Sequence, residues 1–498
     1  MTLIEDSTRR SGGVDAVARA PKKHAAVFDG ASNGRRTAGW NARADAINTA
    51  IFQDGDLLRK RARDLVRQNW AAANGVESWV ASAIGTGIKP KSLHPDRRIR
   101  EALDYLFDRW SSESDADGRT DFYGQQSLAF SAMVEAGECF IRRRDRRLSD
   151  GLTVPMQIQL LESEHVPYWL NKAEADRNRV VMGLEIDGIG RVAAYHMYAD
   201  HPEDYNFSRG KTDTVRVPAE NIAHLFRQSR PGQRRGTTWL TQAMIKLRDL
   251  DKYDDAELVR KKMASMVVWW LTETDPNDPI LATTETDSDD VAQLEIQAGQ
   301  VVRLKPGEQV NTSEPAKSDA GYSDYMKHQL HEVAAAMGIT YEMLTGDLEG
   351  VNFSSIRAGL LEFRRRCEMI QWSVFIFQFC RPCWAWFCRA AAMNGSISAG
   401  DLSANWADYM AVQWHTPKWS WVDPLKEVQA EQLQVLAGFK SRGTVINEMG
   451  EDPEVVDAQI AEDNARAERL GLQFSTQFIP PPGSFEEEKE EKAVVKRK

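Results

Sequence analysis

The sequence predicts an α+β fold, mostly helical, with a smaller mixed β region. Three observations point there. Proline-free, Ala/Leu/Arg-rich helical spacing runs through residues 42–79, short β-branched and aromatic runs crowd into residues 139–226, and helical spacing returns from residue 237. Strands gathered in one block, rather than alternating with helices, argue for segregated layers over a βαβ sheet.

The elements follow in order. Leu58, Arg61, Leu65 and Asn69 fall near helical spacing, and Gly85-Thr-Gly-Ile-Lys-Pro90 breaks the helices that precede it. Two more helices are expected at 99–110 and 123–135, the second stopped by Gly137. Strand signals then appear at Cys139-Phe-Ile-Arg-Arg-Arg, Val154-Pro-Met-Gln-Ile-Gln-Leu-Leu, Val180-Val-Met-Gly-Leu-Glu-Ile, Val192-Ala-Ala-Tyr-His-Met-Tyr and Ile222-Ala-His-Leu-Phe. Residues 237–266 form the clearest long helix. Thr237 or Thr238 suits the N-cap, and Leu240, Met244, Leu247, Leu250, Leu258 and Met263 mark an intermittent apolar stripe beside a densely charged face. Val301-Val-Arg-Leu reads as a strand, 311–321 as an exposed loop, and 323–337 as a helix stopped by Gly338. A last long helix starts near Ser354 or Ser355 and is expected to break at Pro382 before reaching Met393.

At 498 residues and 42 % hydrophobic content, the chain is long enough for several packed layers. Its longest apolar run, 369–380, is interrupted by Gln371, Ser373 and Gln378, so no membrane span is expected. The N-terminus lacks a secretory pattern, which points to synthesis in the cytoplasm. Five cysteines, four of them between 367 and 388, fit buried thiols in a reducing compartment rather than a disulfide framework. With 63 basic and 73 acidic residues the net charge is −10, which argues against a protein that clamps nucleic acid. The first 40 residues read as a basic arm, and residues 473–498, with Pro480-Pro-Pro-Gly-Ser and an acidic run, as a solvated tail.

Catalytic signatures are weak. No Gly-x-x-x-x-Gly-Lys-Ser/Thr occurs, and Pro231-Gly-Gln-Arg-Arg-Gly lacks the lysine that a phosphate cradle needs, so nucleotide hydrolysis is disfavoured. Cys380-Arg-Pro-Cys383 has no second pair, and His328 and His331 lack the zinc-hydrolase order, so neither a metal nor a cofactor is expected. Arg227, Arg230, Arg234 and Arg235 suit a phosphate backbone or a partner's acidic surface, with a plain solvated loop as the alternative. The aromatics Trp372, Phe375, Phe377, Phe379, Trp384, Trp386 and Phe387 read as core or as an inter-subunit contact.

Four segments together resemble the portal proteins of tailed bacteriophages, lambda-type family. They are Val217-Pro-Ala-Glu-Asn-Ile-Ala-His-Leu-Phe with Arg230-Pro-Gly-Gln-Arg-Arg-Gly-Thr-Thr-Trp-Leu; Leu247-Arg-Asp-Leu-Asp-Lys-Tyr-Asp-Asp-Ala-Glu-Leu-Val-Arg-Lys-Lys-Met-Ala-Ser; Gly338-Ile-Thr-Tyr-Glu-Met-Leu-Thr-Gly-Asp-Leu with Val351-Asn-Phe-Ser-Ser-Ile-Arg-Ala-Gly; and Trp421-Val-Asp-Pro-Leu-Lys-Glu-Val-Gln-Ala-Glu. Thr340 and Phe353 depart from the pattern, which usually has proline and tyrosine there. The resemblance implies a ring, commonly of twelve subunits, at one capsid vertex. Through it a terminase drives double-stranded DNA without reading its sequence, and a head-tail connector binds it later; major capsid or scaffold protein surrounds it.

By the same analogy, 41–170 begins a wing, 171–235 contributes β structure to a clip, and 236–266 is a stem helix. Residues 267–400 return to the wing with a channel loop at 305–321, and 401–472 form a crown. Asp249, Asp251, Asp254, Asp255, Glu257, Lys305, Glu308 and Lys317 become the channel-lining candidates. The competing reading is an enzyme of the packaging apparatus, a nuclease or an ATPase.

Overall fold

A computed structural model describes residue 39 and residues 42–173, 178–204, 213–265, 269–272, 301–304, 321–417, 424–449 and 451–472. Contacts divide the chain into residues 1–46 and a second unit, 47–498, which holds the elements described below.

Helices α1 (Ile47–Gln68) and α2 (Trp70–Ala83) are parted at Asn69, whose side chain caps α2 by accepting from Ala72 N. After β1 (Lys89–Ser92) come α3 (Arg97–Ser111) and α4 (Phe122–Ala136), capped by Asp96 and Asp121; Gly137 closes α4 at φ +96°. The β block follows as β2 (Glu138–Asp145), β3 (Met156–Leu161), β4 (Lys172–Ala173), β5 (Arg179–Val181), β6 (Leu184–Ile186), β7 (Val192–Met197), β8 (Val215–Pro218) and β9 (Ile222–Phe226). It forms two antiparallel sheets, in the orders β3-β2-β9 and β4-β5-β6-β7-β8. The segregation of helices and strands expected from the sequence is therefore present.

Helix α5 (Met244–Ser265) is preceded by a 3-10 turn, Trp239–Gln242, capped by Thr238. Strands β10 (Trp269–Thr272) and β11 (Val301–Leu304) pair in parallel, and the chain returns through α6 (Tyr322–Met337) and α7 (Tyr341–Thr345). Next come α8 (Phe353–Ile370), a π-helical stretch (Gln371–Cys380) and α9 (Arg381–Met393). The expected break at Pro382 is not there. Pro382 has no N–H to give to the carbonyl four residues back, and the helix answers by widening in the turns before it, with Arg381 N–H bonding Ile376 O. Short helices α10 (Ala399–Ala404) and α11 (Trp406–Tyr409), strand β12 (Val412–His415), which pairs with β1, and α12 (Pro424–Leu436), α13 (Arg442–Glu448) and α14 (Pro453–Leu470) complete the chain.

The main core gathers α2–α4, one face of β2, β3 and β9, the first turns of α5, and α6 to α9. Its aromatic centre is Phe107, Trp110, Phe122, Trp384 and Phe387, with ring centroids 5.1–5.5 Å apart. Four buried tryptophans use the indole N–H to fasten two elements: Trp79 to Met337 O, Trp110 to Met156 O, Trp384 to Tyr409 O and Trp386 to Glu220 O. Two of the polar residues that interrupt the 369–380 run also tie elements together: Gln371 donates to Ala83 O, though its Oε1 has no partner among the described residues, and Gln378 accepts from Phe226 N–H. Cys380, Cys383 and Cys388 are buried thiols whose pKa burial pushes up. Of the aromatic set, Trp372 and Phe377 are exposed and the rest are buried or nearly so. Among the described residues no helix is long and apolar enough to cross a membrane.

At Gly137 a Cβ would stand 2.5 Å from the Thr237 carbonyl carbon, and at Gly236 one would stand 2.0 Å from Gly137 O. The two backbones cross there with no room for side chains. Gly137→Ala is expected to lose at least about 2 kcal/mol of stability through strain at positive φ and backbone clash, read as a drop in denaturation midpoint.

Candidate functional site

The helix pair α5/α6 holds the charged residues singled out in the sequence. Leu240, Met244, Leu247 and Leu250 are buried, so the first turns of α5 are seated in the core; Leu258, Val259 and Met263 are half or more exposed. Helix α6 packs alongside α5. Tyr253 stacks on Tyr322, with centroids 6.0 Å apart, and meets Tyr325 edge-on at 5.1 Å. Tyr322 donates its hydroxyl to Asp254, Lys246 pairs with Glu332, and Lys261 lies 4.7 Å over the Tyr322 ring. Asn69, between α1 and α2, donates to Asp251 at 2.7 Å.

The acids do not form one stripe. At about 100° per residue, Asp251 and Asp255 fall on one line with Arg248, Lys252 and Lys262 beside them, while Asp254 turns toward α6 and Asp249 faces another way. Asp249, Asp251, Asp254 and Asp255 are exposed. Glu257 is not an open acid as expected. It is only 9 % exposed, covered by Arg260 and Lys261, which also hold its carboxyl below its usual range. Lys305, Glu308 and Lys317 lie outside the described residues.

The four arginines part company. Arg227 is exposed and stacks 5.2 Å over Trp239, at the mouth of a cleft of about 660 Å³ that Met337 and Arg366 also line. Arg230 is exposed; Arg234 is half-buried, its N–H bonded to Asn48, and its pKa is lowered by burial and by nearby Arg179. Arg235 corrects the expectation of a surface contact. It is fully buried, its guanidinium bound to Glu138 at 2.6–3.0 Å, and it donates to Met182 O (2.8 Å) and Val166 O (3.1 Å). Its plane lies 4.0 Å over the Tyr168 ring. Burial along this loop therefore deepens from exposed Arg227 and Arg230, through half-buried Arg234, to fully buried Arg235.

Glu138 is equally buried and accepts from Ser163 Oγ, Tyr168 (3.2 Å), Gly236 N (2.9 Å) and His224 Nε2 (2.9 Å) as well as Arg235. Burial opposes its charge, yet Arg235 and His224 together hold its carboxyl well below the usual range. Burial keeps the His224 pKa low despite the neighbouring carboxylate. Met182 carries the only positive φ of a non-glycine among the described residues, +51°, at the β5–β6 turn, and Asn171 holds its N–H at 3.0 Å. That turn aims the Met182 carbonyl at Arg235. The sequence signal for this network was Gly137-Glu138 and Arg235-Gly236, where a charge sits beside a glycine that lets the backbones close.

Glu162, Glu164 and His201 also converge. Arg63 bonds both carboxylates at 3.0–3.1 Å and Arg59 takes Glu164 at 2.8 Å, so the group is a balanced ion-pair network rather than a metal cage.

The helix pair thus leaves apolar residues exposed on a body held together by a buried ion pair. Residues 33–371 match the family described as phage portal protein, lambda family, and this chain belongs to it. The probable portal protein of Halomonas phage phiHAP-1 is 27 % identical, over 90 % of this chain and 88 % of its own length. Portal proteins of Escherichia phages N15 and lambda are 21 % and 20 % identical over 89 % and 91 % of this chain, and 90 % and 91 % of theirs. Among solved structures, a chain from the neck of a native gene transfer agent particle computed with C12 symmetry aligns with 79 % of this chain and 94 % of its own. That alignment has 14 % identity and a TM-score of 0.41.

Removing the guanidinium in Arg235→Ala should cost about 3–5 kcal/mol, because Glu138 is left charged and buried without its partner. Restoring an apolar pair by adding Glu138→Met should recover part of the loss in a denaturant series. The pH sign is set by two depressed pKa values. Stability is full above both unfolded values and declines as pH falls, first below about 6.5 as His224 must be held neutral, then below about 4.3 as Glu138 must be held charged. A melting temperature that rises on acidification through that range would contradict the assignment.

Proposed function

We propose that copies of this chain close into a ring, of twelve subunits by resemblance, at one capsid vertex, and that the ring conducts DNA inward during packaging and outward at ejection. The observation that carries this reading is membership of the portal family over 33–371. Exposed Leu258, Val259 and Met263 on α5 support it, since a neighbour in a head-to-tail ring would cover them. The partners are the terminase large subunit, the head-tail connector, and major capsid or scaffold protein; assembly takes place in the host cytoplasm and the product resides in the virion. The role is structural and not enzymatic.

Within this reading α5 and α6 are the stem. The β-rich residues 171–235 contribute to the clip that faces motor and connector, and 305–321 is the channel loop. A bore lined by α5 meets DNA with acids and bases interleaved. A duplex carries one negative charge per roughly 1.7 Å, and each phosphate gripped by a cation adds affinity through counterion release. Arg248, Lys252 and Lys262 are each flanked by Asp251 or Asp255, so no continuous cationic track exists on that face to hold the duplex.

Substituting Asp249, Asp251 and Asp255 with lysine should leave the ring intact by native mass spectrometry while slowing packaging at low salt, with partial recovery as salt is raised. Unchanged packaging at low salt would contradict the balanced-bore reading. A persistent monomer that also fails to enter procapsids, or purified protein that hydrolyses ATP unaided, would contradict the portal reading itself.

A further inference from the structure

A groove beside the Arg235 network is lined by no residue of α5 or α6. Helix α1 supplies one wall with Phe52, Asp56 and Lys60, one to two turns apart on one face. Pro167 and Trp169 form the opposite wall, and Tyr198, Pro202 and Glu203 close the end, around about 390 Å³. The floor is rigid. Val166, Tyr168 and Tyr198 are buried, and Arg59, itself buried, is held by Glu164 (2.8 Å), Asp56 (2.7 Å) and Ser163 Oγ (2.7 Å), 5.0 Å over the Tyr168 ring. The rim is the opposite: Phe52 is 46 % and Trp169 59 % exposed, and the Trp169 indole N–H has no hydrogen-bond partner among the described residues.

Two exposed aromatic rings, two prolines and a free indole donor over a fixed floor are the chemistry that takes a polyproline II segment. Such a helix has three residues per turn, makes no internal hydrogen bonds, and offers its carbonyls to a donor while its rings lie against aromatic faces. The acids of the groove are already balanced by Arg59 and Lys60, so nothing there calls for a basic ligand such as the Pro21-Lys-Lys stretch. Of the chain's 19 prolines only Pro480, Pro481 and Pro482 are consecutive, and Phe478 and Ile479 stand immediately before them. Consecutive prolines fix φ near −65° and disfavour helix in the residue before each, so this segment enters a groove with little ordering cost.

We propose that the Phe478-Ile479-Pro480-Pro481-Pro482 segment docks in the Phe52/Trp169 groove, with Trp169 Nε1 donating to a carbonyl of the proline run and Phe478 or Ile479 packing on the ring faces. The segment comes from the same copy or from a neighbour. This site is independent of what the bore does, and it gives the C-terminal region a function that the conduit reading does not use.

The test places a photo-reactive benzoylphenylalanine at position 478 of the full-length protein and maps the adducts by mass spectrometry. Adducts within 52–60, 166–169 or 198–203 are expected, with yield falling roughly tenfold in Trp169→Ala, Phe52→Ala double variants that keep the wild-type melting temperature, as loss of interface anchors dictates. Replacing the three prolines with glycine should lower the yield in the same way. A mixture of isotopically heavy and light protein tells the two sources apart: mixed-label adducts mean a neighbour's segment, single-label adducts the chain's own. Adducts confined to other surfaces, or a yield indifferent to Trp169→Ala and Phe52→Ala, overturn the proposal. An absence of any oligomer by mass with single-label adducts in the groove would sink the ring reading and leave this one standing.

Discussion

The buried pair between Glu138 and Arg235 is the constraint on which the rest of the body depends. A carboxylate and a guanidinium at zero exposure cost several kcal/mol each to desolvate, and only a full set of partners offsets that. Here the set is complete. Arg235 spends its nitrogens on Glu138, Val166, Met182 and Ser163, while Glu138 accepts from four further groups on three different segments. The pair therefore joins the β3-β2-β9 sheet, the 163–168 turn and the β5–β6 hairpin to the backbone that leads into α5. Directional bonds of this kind favour one arrangement of two sheets that apolar contacts alone would leave free to slide.

The crossing of Gly137 with Gly236 is the backbone side of the same device. One side chain at either glycine would part the strands and draw Glu138 away from Arg235. The Met182 carbonyl is held in place by a left-handed residue that asparagine or glycine would occupy more easily, so local strain is tolerated where the carbonyl is needed.

Much of the fold was legible because its signals are local. The stop at Gly137 and the strand block of β-branched runs are both local, whereas Asn69, read as part of a helical stripe, is the cap that parts α1 from α2. Thr340, which departs from the pattern of the resemblance, caps α7 by accepting from Met343 N, so the turn is intact. What sequence could not supply was partnership across distance. Arg235 lies in the same basic loop as Arg227 and Arg230 and looks equally solvated, yet its partner Glu138 is 97 residues away. Trp372 and Phe377 look like Phe375 and Phe379, and only the wider π-helical turn decides which of them point out. Pro382 signals a break, but a helix with one face held in the core on both sides of the proline widens into π turns and continues instead.

Helix α5 shows how the body and the assembly are linked. Up to Leu250 its apolar residues are in the core; beyond it, Glu257 is the one buried side chain among those described, and Leu258, Val259 and Met263 face solvent in the single subunit. A helix of that length is marginal in water on its own. Pairs such as Glu257–Arg260 add only a few tenths of a kcal/mol, and α6 contributes mainly through Tyr322 and Tyr325, whose contacts centre on Tyr253. Burying three aliphatic side chains against a neighbour is worth about 1.5–3 kcal/mol each at full burial, well above the local terms. Head-to-tail contact in a closed ring supplies that burial to every copy at once. On the proposed ring reading, the second half of α5 is thus stabilised chiefly by assembly, and the charged residues between its apolar positions stay free to face the bore.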